Sequence, residues 1–170
     1  IGLACDDIDN CNSNDVLLAV GSDSRIGLKY LSKGLGFGGP CFPRDNRAIQ
    51  EVLNKTGLIY EVPINNDRFN RQIPQHYADK ILKISNSKQI SSIIMIGITY
   101  KDGSFLLEES QSYSIALILS ERYKVFYFDN DVIDEEGIKI EKLDSRTSLG
   151  GNVLIVNCSR DENKIKSAKQ

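Results

Sequence analysis

Apolar positions recur at three- and four-residue intervals along the first half of the chain and then gather into short continuous runs. The pattern predicts helices followed by strands. Residues 1 to 21 have a helical pattern, interrupted by the polar Asn10-Cys11-Asn12-Ser13-Asn14. Ser13 or Asn14 is the expected cap of a short helix from Asp15 to Val20, with Gly21 as its stop. A long loop is expected over residues 22 to 45, with Gly34, Gly36, Gly38, Gly39, Pro40 and Pro43. Asp45 should open a helix bearing Ile49, Val52 and Leu53 on one face and ending at Gly57. Ile73, Tyr77, Ile81 and Ile84 mark another helix, expected to end before the polar stretch Ser85 to Gln89.

The period then changes. Ser92 to Gly97 is nearly all apolar, as expected for a strand covered on both faces. An amphipathic stretch, Tyr113 to Leu119, is followed by strand-like runs at Val125 to Asp129 and Val153 to Val156. Strand, helix and strand in this order predict a βαβ unit with a parallel sheet. The fold class is therefore α/β: a helical portion over residues 1–88, then a partial Rossmann-like parallel-sheet domain over residues 89–170. Lys164 to Gln170 is polar and expected to be a frayed end. The chain opens at Ile1 within a helical pattern, as expected of a piece of a longer protein.

Charge removes some function classes. Lys and Arg total 21 and Asp and Glu 23, a net charge of -2, which argues against a general nucleic-acid binder. No apolar run approaches the roughly 20 residues of a membrane span, and no cationic leader is present, so no membrane partner is expected. Cys5, Cys11, Cys41 and Cys158 are irregularly spaced and too sparse for a stapled secreted domain. They are expected to be reduced thiols in a cytoplasmic protein. Only His76 could join them as a metal ligand, and no metal site is expected.

Gly34-Leu35-Gly36-Phe37-Gly38-Gly39 satisfies the spacing of a dinucleotide-binding turn, but its context is wrong. No buried strand precedes it, and Pro40 and Pro43 follow. So many glycines make sense where a ligand must approach the main chain. Cys41 lies directly beyond them, next to Arg44 and Asp45. A cysteine on a shaped backbone beside a cation can act as a nucleophile, and it can equally be an inert residue of a tight turn.

A longer string adds to this. Gly21-Ser22-Asp23-Ser24-Arg25-Ile26-Gly27, Tyr30-Leu31 and Gly34 through Asp45 closely resemble the active-site segment of the UDP-glucose/GDP-mannose dehydrogenases. Val62 to Asp67, with Asn66, resembles the family's V-x-x-x-N segment. Gly97-Ile98-Thr99-Tyr100-Lys101 with Glu109-Ser110 resembles the start of its C-terminal domain. The likeness runs from about Gly2 to Asn130.

The resemblance implies oxidation of a nucleotide-sugar C6 alcohol to a carboxylate, with NAD as cofactor and UDP-glucose or a related nucleotide sugar as substrate. Cys41 then corresponds to the nucleophile that forms a thiohemiacetal and a thioester, and Asp45 to the aspartate that organises water. Arg44 stands where the family has a lysine near the cofactor, so Cys41 and Arg44 are the cofactor-side residues. Arg25, Tyr30, Ser32, Lys33, Gly34, Leu35, Gly36, Phe37, Gly38 and Lys101 are the implied substrate contacts. The same resemblance implies a homodimer for the full-length protein. Asp129 ends the second strand, where a Rossmann domain would hold a ribose, yet no glycine fingerprint follows the first strand. A uridine or guanine nucleotide is the expected occupant of this lobe instead. Leu106 and Glu108 depart from the family's aspartate and arginine, and Glu108 reverses a charge expected near the diphosphate of NAD. The 170 residues by themselves are expected to show no dehydrogenase turnover. Surface placement is expected for His76, and ordinary packing for Cys5, Cys11 and Cys158.

Overall fold

The structure, a computed structural model, describes residues 1–57 and 60–168. It divides into two compact units, Ile1–Leu35 and Gly36–Gln170.

The first unit holds α1 (Gly2–Cys5) and α2 (Ser13–Gly21). The cap of α2 differs from expectation. Asn12, in an extended conformation, accepts the Asn14 amide through its side chain at 2.9 Å, so the helix starts earlier and Ser13 and Asn14 lie inside it. Gly21 also belongs to the helix, and the Ser22 amide bonds back to the Leu18 carbonyl. Gly21 has a packing reason instead: a Cβ there would lie 2.4 Å from Leu28 Cδ2.

The second unit contains α3 (Phe42–Asn54), α4 (Val62–Ser87), β1 (Ile90–Ile96), α5 (Gln111–Ser120), β2 (Lys124–Phe128), β3 (Glu141–Lys142), β4 (Asn152–Asn157) and α6 (Glu162–Ser167). The strands form one parallel sheet in the order β3-β2-β1-β4. Ile94 pairs with Phe126 on one side and Ile155 on the other. With α5 as the β1-to-β2 crossover, this is the expected α/β class with a partial Rossmann-like sheet. β1 is central because Ile93, Ile94, Met95 and Ile96 are all buried, which needs cover on both faces. Ile115, Ala116 and Leu119 of α5 and Ala78 of α4 pack against it in the core.

α3 opens three residues before the expected Asp45. Pro43 suits the first turn, where its missing amide would have had no helical partner. α4 starts well before Ile73 and runs 26 residues straight through Pro74. A proline inside a helix leaves the carbonyl four residues earlier without its usual donor. Here that is the Asn70 carbonyl, and Gln111 Nε2 from the start of α5 supplies the bond at 3.3 Å. The two-residue β3 has no periodic signal and was not expected.

The expected frayed end is overturned over its described part. Glu162–Ser167 is helical, capped by Asp161, and Lys164 is buried. Residues 169–170 lie outside the described residues. Among the described residues no helix is long and apolar enough to cross a membrane.

Candidate functional site

Cys41 occupies the N-cap position of α3 and is exposed to solvent. The Asp45 amide donates to the Cys41 carbonyl at 2.8 Å and closes the first helical turn, which brings residues 41, 44 and 45 together. Arg44 Nε donates to Asp45 Oδ1 at 2.8 Å. That bond, the Asp45 charge and the neighbouring Cys41 raise the Arg44 pKa above its ordinary value. Asp45 is therefore a first-turn carboxylate held by its neighbour, and it does not cap the helix. The positive end of a 13-residue helix favours negative charge developing beside Cys41, with the Phe42 and Arg44 amides in its first turn and none at Pro43.

The preceding glycines are held by protein. Asn70 Nδ2 donates to the Phe37 carbonyl at 2.9 Å, and Gln111 Nε2 lies 3.4 Å from the same oxygen. A Cβ on Gly36 would lie 2.0 Å from Asn70 Oδ1, and one on Gly38 2.4 Å from the Glu109 carbonyl oxygen. Gly39 has a φ of 82° and donates its amide to the Glu108 carbonyl at 3.0 Å. Its Cα faces the Tyr100 ring so closely that a Cβ would sit 2.5 Å from Cε2. Phe37 and Phe42 pack at 5.2 Å between ring centroids across the turn.

This docking sets Lys101 beside the cysteine turn. Lys101 Nζ lies 5.4 Å from the centroid of the Tyr100 ring that covers Gly39. Arg47, one turn beyond Pro43, donates to the Pro43 carbonyl at 2.8 Å and to Glu109 Oε1 at 2.6 Å, tying α3 to residues 108–110. Asn66 reaches Asn46 at 3.2 Å, between α4 and α3. Within the second unit, then, Gly36, Phe37, Gly38, Cys41, Arg44 and Asp45 lie along one turn and the start of the helix it opens, and Tyr100, the neighbour of Lys101, closes over Gly39.

The other sequence candidates belong to the first unit. Arg25 pairs with Asp23 at 2.6 Å and is largely exposed. Tyr30 is almost wholly exposed, and Lys33 pairs with Asp6. Ser32, Gly34 and Leu35 follow in an irregular segment.

Asn70, Gln111 and Arg47 escaped sequence reasoning, and Tyr100 entered it only as part of a matching string. Two signals existed for Asn70, the first being that it precedes Ile73 and Tyr77 by three and seven residues and so is a polar residue on an apolar stripe. Pro74, four residues later, was the second, because it frees the Asn70 carbonyl.

Asp129 does not present a ribose site. Its side chain is fully buried, and Oδ2 accepts the Ile98 and Thr99 amides at 2.7 and 3.1 Å. Oδ1 takes Lys164 Nζ at 2.6 Å and the Asp131 amide at 3.0 Å. Burial pushes this carboxyl up, but Lys164 and the surrounding amides outweigh burial and hold it below the ordinary aspartate value. The turn after β1 carries no glycine fingerprint: its glycines are Gly97 and Gly103, and at Gly97 a Cβ would lie 3.0 Å from Ser159 Cβ. With its acidic residue saturated and its turn filled, the lobe does not fit the adenosine half of NAD.

The four thiols differ in setting. Cys5 is buried, and a hydrogen bond with Cys5 raises the Cys11 pKa. Burial pushes the Cys158 thiol up to about 12. Cys41 alone among them is exposed. His76 is also exposed and meets Tyr77 edge-on at 5.6 Å.

Comparison with known proteins gives a consistent relationship. Residues 1–72 match the model of the UDP-glucose/GDP-mannose dehydrogenase family, central domain. The UDP-glucose 6-dehydrogenase TuaD of Bacillus subtilis is 35% identical over 82 residues, covering 48% of this chain and 18% of that protein. The putative UDP-glucose 6-dehydrogenase YtcA of the same bacterium is 32% identical over 134 residues, 76% of this chain and 29% of that protein. The chain thus spans less than a third of the length of either relative. Among solved structures, a UDP-glucose dehydrogenase from Pyrobaculum islandicum superimposes with a TM-score of 0.72 at 25% identity, over 88% of this chain and 36% of that one. A GDP-mannose dehydrogenase from Pseudomonas aeruginosa gives 0.69 at 21% identity over 92% and 38%, a likeness of fold alone.

Proposed function

We propose that this chain, which carries the central-domain sequence and the fold of the UDP-glucose/GDP-mannose dehydrogenase family, is the substrate-side part of an NAD-dependent UDP-glucose 6-dehydrogenase. The observation that carries the proposal is an exposed Cys41 at the start of α3, on a turn that Tyr100, Asn70 and Gln111 hold beside Lys101. The reaction converts UDP-glucose to UDP-glucuronate, and NAD supplies the hydride acceptor for its two oxidations. The α/β lobe does not fit that dinucleotide, so its cradle belongs to another part of the protein.

The chain's own groups have separable tasks. Cys41 sulfur adds to the C6 aldehyde carbon, holding it as a thiohemiacetal and, at the acid level of oxidation, as a thioester. The Phe42 and Arg44 amides at the start of α3 stabilise the oxygen that gains charge in the addition and in thioester hydrolysis, Pro43 having no amide to offer. Asp45 orients the hydrolytic water, and Arg44 holds that carboxylate while adding positive charge on the cofactor side. The arginine fork grips Asp45 in a way that a lysine point charge would not. The resemblance gives the sugar two stretches of backbone, Gly36, Phe37 and Gly38 in the second unit and, separately, Ser32, Lys33, Gly34 and Leu35 in the first. Arg25 serves the nucleotide-sugar phosphates, and Tyr30 and Lys101 are further substrate contacts carried by the resemblance. A homodimer in the full-length protein accompanies this reading.

A second reading rests on Glu108. Its exposed carboxylate stands where the resemblance implies an arginine, which favours a protein that binds the nucleotide sugar or self-associates without turning it over. The test is NADH formed per UDP-glucose consumed by the longest product of the gene containing these residues. The proposal expects a ratio of two, and no NADH from the 170-residue chain alone. Turnover of GDP-mannose but not UDP-glucose would reassign the substrate. Absence of NADH with either sugar would overturn the enzymatic reading in favour of the second.

A further inference from the structure

The end of the chain contains a charge cluster that the proposed reaction does not use. Lys164 of α6 is 3% exposed, and its Nζ lies 2.6 Å from Asp129 Oδ1, 2.8 Å from Asp131 Oδ2 and 3.3 Å from Asp102 Oδ1. One ammonium faces three carboxylates, so the group retains an excess of two negative charges. Backbone amides meet that excess. Asp129 takes the amides of Ile98, Thr99 and Asp131, Asp131 takes that of Gly103 at 2.7 Å, and Asp102 takes that of Arg160 at 2.8 Å. Ser159 Oγ donates to Asp102 at 2.6 Å.

The placement of these bonds matters more than their number. Ile98, Thr99, Asp102 and Gly103 flank Lys101 on both sides, and all four bond to a carboxylate that Lys164 touches or supply that carboxylate. Lys101 itself points away, exposed, over the Tyr100 ring. The turn therefore has a fixed backbone and one free cationic arm. Without Lys164, three carboxylates would crowd together with no cation between them. The cheapest relief is for Asp102 and Asp131, both partly exposed, to swing out and release the turn.

We propose that Lys164 is a positioning residue that fixes the Ile98–Gly103 turn and so aims Lys101 at the bound nucleotide sugar. The consequence for binding rests on the substrate reading given above. The pin on the turn rests on the geometry alone.

Two measurements on the full chain separate these claims. Amide hydrogen exchange tests the pin: Lys164→Met should speed exchange across residues 97–104 by about tenfold or more, while α3 and α4 keep their rates. Lys164→Arg should leave 97–104 close to wild type, because it restores a cation at the same place. Titration with UDP-glucose tests the aim: Lys164→Met and Lys101→Ala should each weaken binding by about tenfold, the scale of one charge-assisted contact. The double variant should be no weaker than Lys101→Ala. Should Lys164→Met fail to fold, Asp131→Asn serves instead, and it should loosen the Gly103 amide specifically.

Unchanged exchange in both Lys164→Met and Asp131→Asn would overturn the pin. Faster exchange together with undiminished UDP-glucose affinity, when Lys101→Ala does lose affinity, would overturn the positioning role. If the wild-type chain binds no nucleotide sugar while exchange still responds, the substrate reading fails, the aim fails with it, and the pin alone is upheld.

Discussion

Replacing Gly39 with alanine tests whether the cysteine turn is held by the Tyr100 ring. Two costs are expected. The first is conformational: Gly39 has a φ of 82°, and an L-residue there loses about 1–2 kcal/mol. The second is steric. The new methyl would sit 2.5 Å from Tyr100 Cε2 and 2.7 Å from Cδ2, so the ring must retreat by about 1 Å to reach ordinary carbon contact at about 3.5 Å. Overpacking of this kind costs about 1–3 kcal/mol, giving a total of about 2–5 kcal/mol. The two costs separate in a double-mutant cycle, because in a Tyr100→Ala background only the first survives. The chain contains no tryptophan, so urea unfolding followed by far-ultraviolet circular dichroism is the suitable readout. Gly39→Ala should lose about 1–3 kcal/mol less stability in the Tyr100→Ala background than in the wild type. Equal losses in the two backgrounds would refute the contact, and no loss in either would refute the strained turn as well.

Three further outcomes follow from the same geometry. Asn70→Ala removes the 2.9 Å bond to the Phe37 carbonyl and should cost about 1–3 kcal/mol in urea unfolding; a neutral result would mean that Gln111 suffices alone. Lys164→Met should cost about 3–5 kcal/mol, because it strips the cation from a fully buried Asp129; a loss below about 1 kcal/mol would place that carboxylate in contact with water. The folded-state pKa of Asp129 is depressed below its ordinary 3.8, so its contribution is fully present above that value and is lost as pH falls through the lower, folded one. The urea midpoint should therefore hold between pH 6 and 5 and fall below about pH 3.8. A midpoint that is the same at pH 3 and pH 6 would contradict the depression.

The sheet was legible in the sequence because a strand buried on both faces leaves a continuous apolar run, as at Ile93–Ile96. The first half of α4 was not. Pro63, Pro74 and the asparagines between them contradict helical propensity, and tertiary partners such as Gln111 make the exception tolerable. The dipeptide strand β3 had no period to display. The position of Cys41 could be read from a long string of matching residues, whereas what holds its turn could not. Phe37 meets Asn70 and Gln111 from 33 and 74 residues away, and Arg47 meets Glu109 from 62. Lys164 looked like part of a polar end for the same reason: its carboxylates lie between 33 and 62 residues earlier, and no local pattern announces an ion pair at that distance.

In the proposed function Cys41 is an accessible nucleophile in a nucleotide-sugar site. The most direct measurement of this is the rate at which iodoacetamide labels each cysteine of the folded chain, followed by peptide mass, with and without UDP-glucose. Cys41 should label ahead of buried Cys5 and of Cys158, whose thiol is pushed up to about 12, and UDP-glucose should slow Cys41 alone. Labelling of Cys41 at one unchanged rate with UDP-glucose, GDP-mannose or neither would contradict the claim.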